Sequence, residues 1–233
     1  MLKNIIFRQL FDYETWTFTY LLADPETKEA ILIDTVKEQA DRDLKLLQEL
    51  QLKLKFILET HIHADHITGA NILREKTGAK TGVSKVAAVS AADLALDDGQ
   101  ELSFGKLKLK VLSTPGHTNT CLSFYCEGMI FTGDTLFIRD VGRTDFQEGS
   151  NEKMFESITK KIFSLPSDTQ VYPGHDYNGH RMSTVREEIE FNSKIGGHTN
   201  FDTFRKKMAE MKLGPPKRLH IAVPANLRGG REA

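Results

Sequence analysis

Residues 60 to 66 read Thr-His-Ile-His-Ala-Asp-His, with three imidazoles and a carboxylate between positions 61 and 66. Neutral imidazole nitrogens and carboxylate oxygens are the donors that divalent zinc, iron and manganese accept, so this heptad reads as the opening of a metal site. On an extended segment the step from His61 to His63 returns both rings to the same side. Asp65 and His66 follow where the chain is expected to turn into a helix. A histidine-rich polar loop is the alternative, but the 233 residues hold only eight histidines, and three of them fall in this one stretch.

Three further blocks share one design. Ser113-Thr-Pro-Gly-His117, Phe131-Thr-Gly-Asp134 and Tyr172-Pro-Gly-His175 each place one potential ligand after a small-residue turn that follows a β-like run. Glycine lets the backbone turn sharply and pass close to an ion, while proline fixes the approach. Either histidine alone reads as a hydrogen-bonded loop residue; four blocks of similar build read as one site. Seven donors could hold two ions, with His61, His63 and His117 on one, Asp65, His66 and His175 on the other, and Asp134 between them. Such a pair makes hydroxide at neutral pH and polarises a carbonyl, which is hydrolytic chemistry.

The elements that deliver these blocks follow from pattern. Strands at 16–21 and 30–34 flank an Asp24-Pro25 hairpin turn. Leu44, Leu47 and Leu50 recur at helical spacing within 38–50, and a strand over 52–58 then delivers the heptad. A helix is predicted over 67–76, with strands at 101–104, 107–113, 121–126 and 129–132. Next come a helix over 151–164 ending before Pro166, a strand at 169–172, and helices at 184–191 and 200–211. Strand-rich halves that each end in helices suit an α/β architecture, two sheets packed face to face with helices outside. A single domain over 1–233 with a short helical C-terminal segment is expected.

Composition narrows the partners. A chain with 39% hydrophobic and 27% charged residues is ordinary for a globular domain, and a formal charge of −1 offers no long-range attraction to nucleic acid. No apolar run approaches ~18 residues and the first twenty residues lack a signal-length apolar core, which predicts no membrane association and a cytoplasmic location. Cys121 and Cys126 lie five apart on one expected strand and face opposite sides, so they read as packing residues without a disulfide. Leu10, Phe11, Trp16 and Phe18 are read as core, with a homodimer face as the alternative. The Lys106, Lys108 and Lys110 alternation marks the solvated face of a strand.

Taken in order, His61, His63, Asp65, His66, His117, Asp134 and His175 resemble the signature of the metallo-β-lactamase superfamily, and the resemblance covers nearly the whole chain. It implies an αββα sandwich with two mixed sheets and a metal site at one edge, and it leaves hydrolysis, redox and oxygen chemistry open. The wider blocks 59–69, 138–147, 172–179 and 223–228 resemble the persulfide dioxygenases. That resemblance implies oxidation of glutathione persulfide by O2 and water to sulfite and glutathione at one non-haem Fe(II) per chain. Its ligands fall on His61, His117 and Asp134, a two-histidine, one-carboxylate face with open positions for substrate and O2.

His63, Asp65, His66, His175 and Asp176 are then expected to hydrogen-bond to the ligands or to metal-bound water. Arg143, Tyr177 and Arg228 are the substrate-binding candidates, since an arginine can pair bidentately with a glutathione carboxylate and a tyrosine hydroxyl can hold a peptide group. For Arg143 the competing reading is a salt bridge with Asp140 or Asp145, and for Arg228 a solvated tail charge. A binuclear glutathione thiolesterase of the glyoxalase II type is the alternative function, weakened by the short segment after 176. A metal kept only for structure is the third reading.

Overall fold

The computed structural model describes residues 4–216 and 218–231. The chain begins with β1 (Ile6–Phe11), β2 (Phe18–Ala23) and β3 (Glu29–Ile33), then α1 (Ala40–Glu49), β4 (Lys53–Leu58) and α2 (Ala70–Thr77). It continues through β5 (Lys80–Ser84), β6 (Leu94–Leu96), β7 (Glu101–Phe104), β8 (Leu107–Ser113), β9 (Leu122–Cys126) and β10 (Met129–Gly133). The last part holds α3 (Asn151–Glu156), which runs on as a π-helical stretch over Ser157–Ile162, then β11 (Gln170–Pro173), β12 (Ser183–Thr184), α4 (Val185–Phe191), α5 (Phe201–Ala209) and α6 (Leu219–Asn226).

Among the described residues the strands make two six-stranded sheets, β1-β2-β3-β4-β5-β6 and β12-β11-β10-β9-β8-β7. The first is antiparallel from β1 to β3 and parallel from β3 to β6. The second is antiparallel except where β10 pairs with β11. Both are mixed, and β2 shows how they are layered. Phe18, Tyr20 and Leu22 enter the core between the sheets, where they meet Phe104, Phe124 and Phe131, while Leu21 and Ala23 face outward toward Leu47 of α1 and Leu73 of α2. Every residue of β2 is buried, as a strand covered on both faces must be. On the far side Ile130 and Val171 pack under Met154 of α3 and Phe204 of α5. The expected αββα sandwich is therefore the observed fold.

Most element expectations hold within a few residues, and the departures have local causes. β2 begins at Phe18 and not at 16, because Trp16 has a φ of 61° and closes the preceding turn. β1, β5 and β6 escaped pattern reading: β1 is a half-buried edge, β5 carries Gly82 in its middle, and β6 has only three residues. α6 escaped because Pro224 lies inside it. Its Ala222 and Ala225 are buried against Ile67, so packing overrides the lost backbone donor.

β8 and β10 point the same way, each antiparallel to β9, and β11 runs parallel to β10. Their C-terminal ends therefore open on one edge, delivering His117, Asp134 and His175 shortly after the strands stop. Thr17 bridges to His175 and Leu122 donates its N–H to the Thr60 carbonyl, which joins that edge to the end of β4 and the heptad.

Candidate metal centre

The heptad backbone is fixed before any ion is considered. Asp34, just past β3, accepts from the Thr60 N–H at 2.7 Å and from the Thr60 hydroxyl at 2.8 Å. Gly133, with φ of 50°, lets the end of β10 close on the same threonine; a Cβ there would clash with Thr60 Oγ1. From the other side Asn226 of α6 accepts from the Thr68 N–H and donates to the carbonyls of His63 and His66, each at 2.9 Å.

On this frame His61, His117 and Asp134 converge, with one donor atom from each within 4.8 Å of the others. His117 Nδ1 donates to the Arg143 carbonyl at 2.7 Å, which leaves its Nε2 as a lone pair 3.6 Å from Asp134 Oδ2. His61 Nδ1 lies 3.0 Å from the Thr60 hydroxyl, and burial, then repulsion from His63, hold its pKa well below the ordinary value. It is thus the neutral imidazole that a metal requires. Burial disfavours the charge on Asp134, but the charge and hydrogen bond of His175 outweigh it and keep the carboxyl ionised well below the usual range. Two neutral nitrogens and one carboxylate oxygen, oriented by their outer hydrogen bonds, fit a divalent metal.

The other four expected donors are differently engaged. His175 lies between two carboxylates, with Nδ1 2.8 Å from Asp134 Oδ1 and Nε2 3.1 Å from Asp65 Oδ2. Burial opposes a positive charge there, yet Asp134 and Asp65 raise its pKa well above the ordinary value. His63 Nε2 is 3.2 Å from both Asp34 and Glu59, and those acids likewise overcome burial to keep it protonated. His63, Asp65 and His66 form a second cluster within 4.8 Å, and the buried His63 Nδ1 and His66 Nε2 have no hydrogen-bond partner there.

A model of the metallo-β-lactamase superfamily matches residues 17–175. The human protein named persulfide dioxygenase ETHE1, mitochondrial, is 44% identical over 229 residues, spanning 97% of this chain and 89% of that protein. The chain belongs to the persulfide dioxygenase family of the metallo-β-lactamase superfamily. The crystal structure of ETHE1 from Myxococcus xanthus matches this persulfide dioxygenase with a TM-score of 0.94 at 44% identity, over 97% of this chain and 100% of that one. A metallo-β-lactamase from Staphylococcus aureus subsp. aureus COL follows with a TM-score of 0.89 at 28% identity, over 100% of this chain and 74% of that one.

Beside the centre this persulfide dioxygenase has a cavity of about 240 Å³ lined in part by His117, Asp134, His175, Phe137 and Tyr177. Tyr177 stacks on His175 with ring centroids 6.0 Å apart. Asp176 also lines the cavity, but one of its oxygens accepts from the N–H groups of Asn178 and His180, so it shapes the turn that carries Tyr177. Arg143 is adjacent, although its guanidinium grips Asp145 and the carbonyls of Leu213 and Gly214. Arg228 is not brought to this cavity; its Nε donates to the Arg231 carbonyl. Phe18 is core, whereas Trp16 is exposed and packs toward Tyr177.

Four groups that position the site were missed in the sequence: Thr17, Asp34, Glu59 and Asn226. Thr17 places its hydroxyl 3.2 Å from both Asp65 and His175, and Glu59 accepts from the hydroxyls of Thr35 and Thr68. Glu59 and Asn226 carried a signal, through their places in the 59–69 and 223–228 blocks. Cys121 and Cys126 form no disulfide. Among the described residues no helix is long and apolar enough to cross a membrane.

Proposed function

We propose that this persulfide dioxygenase takes glutathione persulfide, O2 and water to glutathione and sulfite in the cytoplasm, with one Fe(II) per chain held by His61, His117 and Asp134 and the whole reaction carried by one domain. The terminal sulfur gives up four electrons, dioxygen takes them, water supplies the third sulfite oxygen, and the glutathione thiolate leaves. Ferrous iron, when bound, supplies the redox step that zinc lacks, together with open positions for a soft sulfur and for O2.

The chain's own groups prepare that centre. The Arg143 carbonyl holds the His117 tautomer, His175 fixes the rotation of Asp134, and Asp65 and Thr17 hold His175 in turn. Tyr177 lines the cavity wall and lies on the His175 ring, which supports a role for it in meeting the peptide part of the substrate. The observation that carries the mononuclear reading is the engagement of both His175 ring nitrogens by Asp134 and Asp65, which removes a donor that a second ion would need.

The unpartnered nitrogens of His63 and His66 beside Asp65 favour the rival, a second ion and thiolester hydrolysis. Oxygen uptake with glutathione persulfide, run with metal analysis of the same sample, separates the two. Uptake that scales with about one iron per chain supports the dioxygenase. Two metal ions per chain, no uptake, and hydrolysis of S-lactoylglutathione without oxygen overturn it.

A further inference from the structure

Arg143 serves the centre twice. Its carbonyl orients His117, and its side chain, only 13% exposed, reaches the other way. Nε and Nη2 make a fork on the two oxygens of Asp145 at 2.6 and 2.8 Å, Nη1 donates to the Gly214 carbonyl at 2.6 Å, and Nη2 also reaches the Leu213 carbonyl at 3.3 Å. The guanidinium carbon lies 4.5 Å from the centre of the Phe146 ring. The segment it grips, 211–216, has neither helix nor strand and ends in two prolines, which offer no backbone donor. Met211 and Leu213 of that segment line the same cavity as His117, Asp134 and His175.

We propose that Arg143 is a positioning residue, which latches the Leu213–Gly214 backbone so that Met211 and Leu213 form a fixed wall against the carrier portion of the persulfide and favour a peptide-sized substrate over a small one. The proposal rests on the function given above. A wall made by these two side chains touches the thiol-bearing molecule and not its terminal sulfur, so it governs binding more than turnover. The planar fork matters, because four donor contacts in two directions exceed what a lysine ammonium can make.

The test compares wild type with Arg143→Ala, Arg143→Lys, Leu213→Ala and the Arg143→Ala, Leu213→Ala double variant. Each iron-loaded protein is assayed with glutathione persulfide and with cysteine persulfide, and amide hydrogen exchange is followed over 208–214. Arg143→Ala should raise KM for glutathione persulfide about tenfold, keep kcat within about twofold, and leave KM for cysteine persulfide nearly unchanged. Iron content should hold, since alanine keeps the carbonyl that His117 uses. Exchange over 211–214 should accelerate, lysine should restore part of the KM, and the double variant should match the worse single one. Unchanged exchange, an equal KM rise for both persulfides, or a loss of iron with kcat would each overturn the latch. If wild type consumes no oxygen with either persulfide, the proposed function fails, and the exchange comparison still decides whether Arg143 holds the segment.

Discussion

Asp134 and His175 share a 2.8 Å hydrogen bond between Oδ1 and Nδ1, which leaves the second carboxylate oxygen facing His117 Nε2 at 3.6 Å. The close approach depends on Gly174, where a Cβ would sit 2.5 Å from Asp134 Oδ1. A histidine so placed would set the angle of the proposed ligand Asp134 without itself holding the metal. His175→Ala should therefore keep metal binding but weaken it roughly 10- to 100-fold, read by iron titration with a chelator competitor. Abolished binding would make His175 a ligand.

Removing a ligand should act differently. His61→Ala, His117→Ala and Asp134→Ala should each leave less than about a tenth of an iron per chain, while His63→Ala keeps a good part of it. Elemental analysis after gel filtration reads this directly, and equal loss in all four refutes the assignment.

Asn226 should matter for stability more than its distance in sequence suggests. Its amide satisfies one N–H and two carbonyls of the heptad loop from within a buried setting. Asn226→Ala strands those groups and should cost about 2–4 kcal/mol in denaturant unfolding. Asn226→Asp should not rescue it, because a carboxylate cannot donate to the carbonyls of His63 and His66.

A separate pH effect comes from α1. Burial lifts the Asp43 carboxyl from 3.8 to about 6 against the pull of Arg42, and its Oδ2 has no hydrogen-bond partner. The folded state then holds a proton more tightly than the unfolded chain, so this group's contribution to stability falls as pH rises from about 4 to about 6 and stays lost above that. Asp43→Asn should remove that slope and stabilise the protein at pH 7, by up to about 3 kcal/mol. Urea unfolding at pH 4.5 and 7 checks both the sign and the window.

The local sequence was enough for the layered fold and for the pool of donors. The strand-forming run of β2, the helical leucines of α1 and the small-residue turns before His117, Asp134 and His175 are all local patterns, which residue type, spacing and turn chemistry read directly. What stayed open was the division of labour among seven donors. Side-chain direction past a strand end depends on where the second sheet lies, and that is set by packing between residues over a hundred positions apart, as with Thr17 and His175. Only the tertiary structure turned His63 toward Asp34 and Glu59, enclosed His175 between two acids, and brought Asn226 back onto the heptad. It also drew the Arg143 guanidinium to Asp145 and the 213–214 backbone. In each case a buried or crowded polar group takes the partner that the fold puts within reach, because leaving it unpaired costs more than any preference encoded in its neighbours.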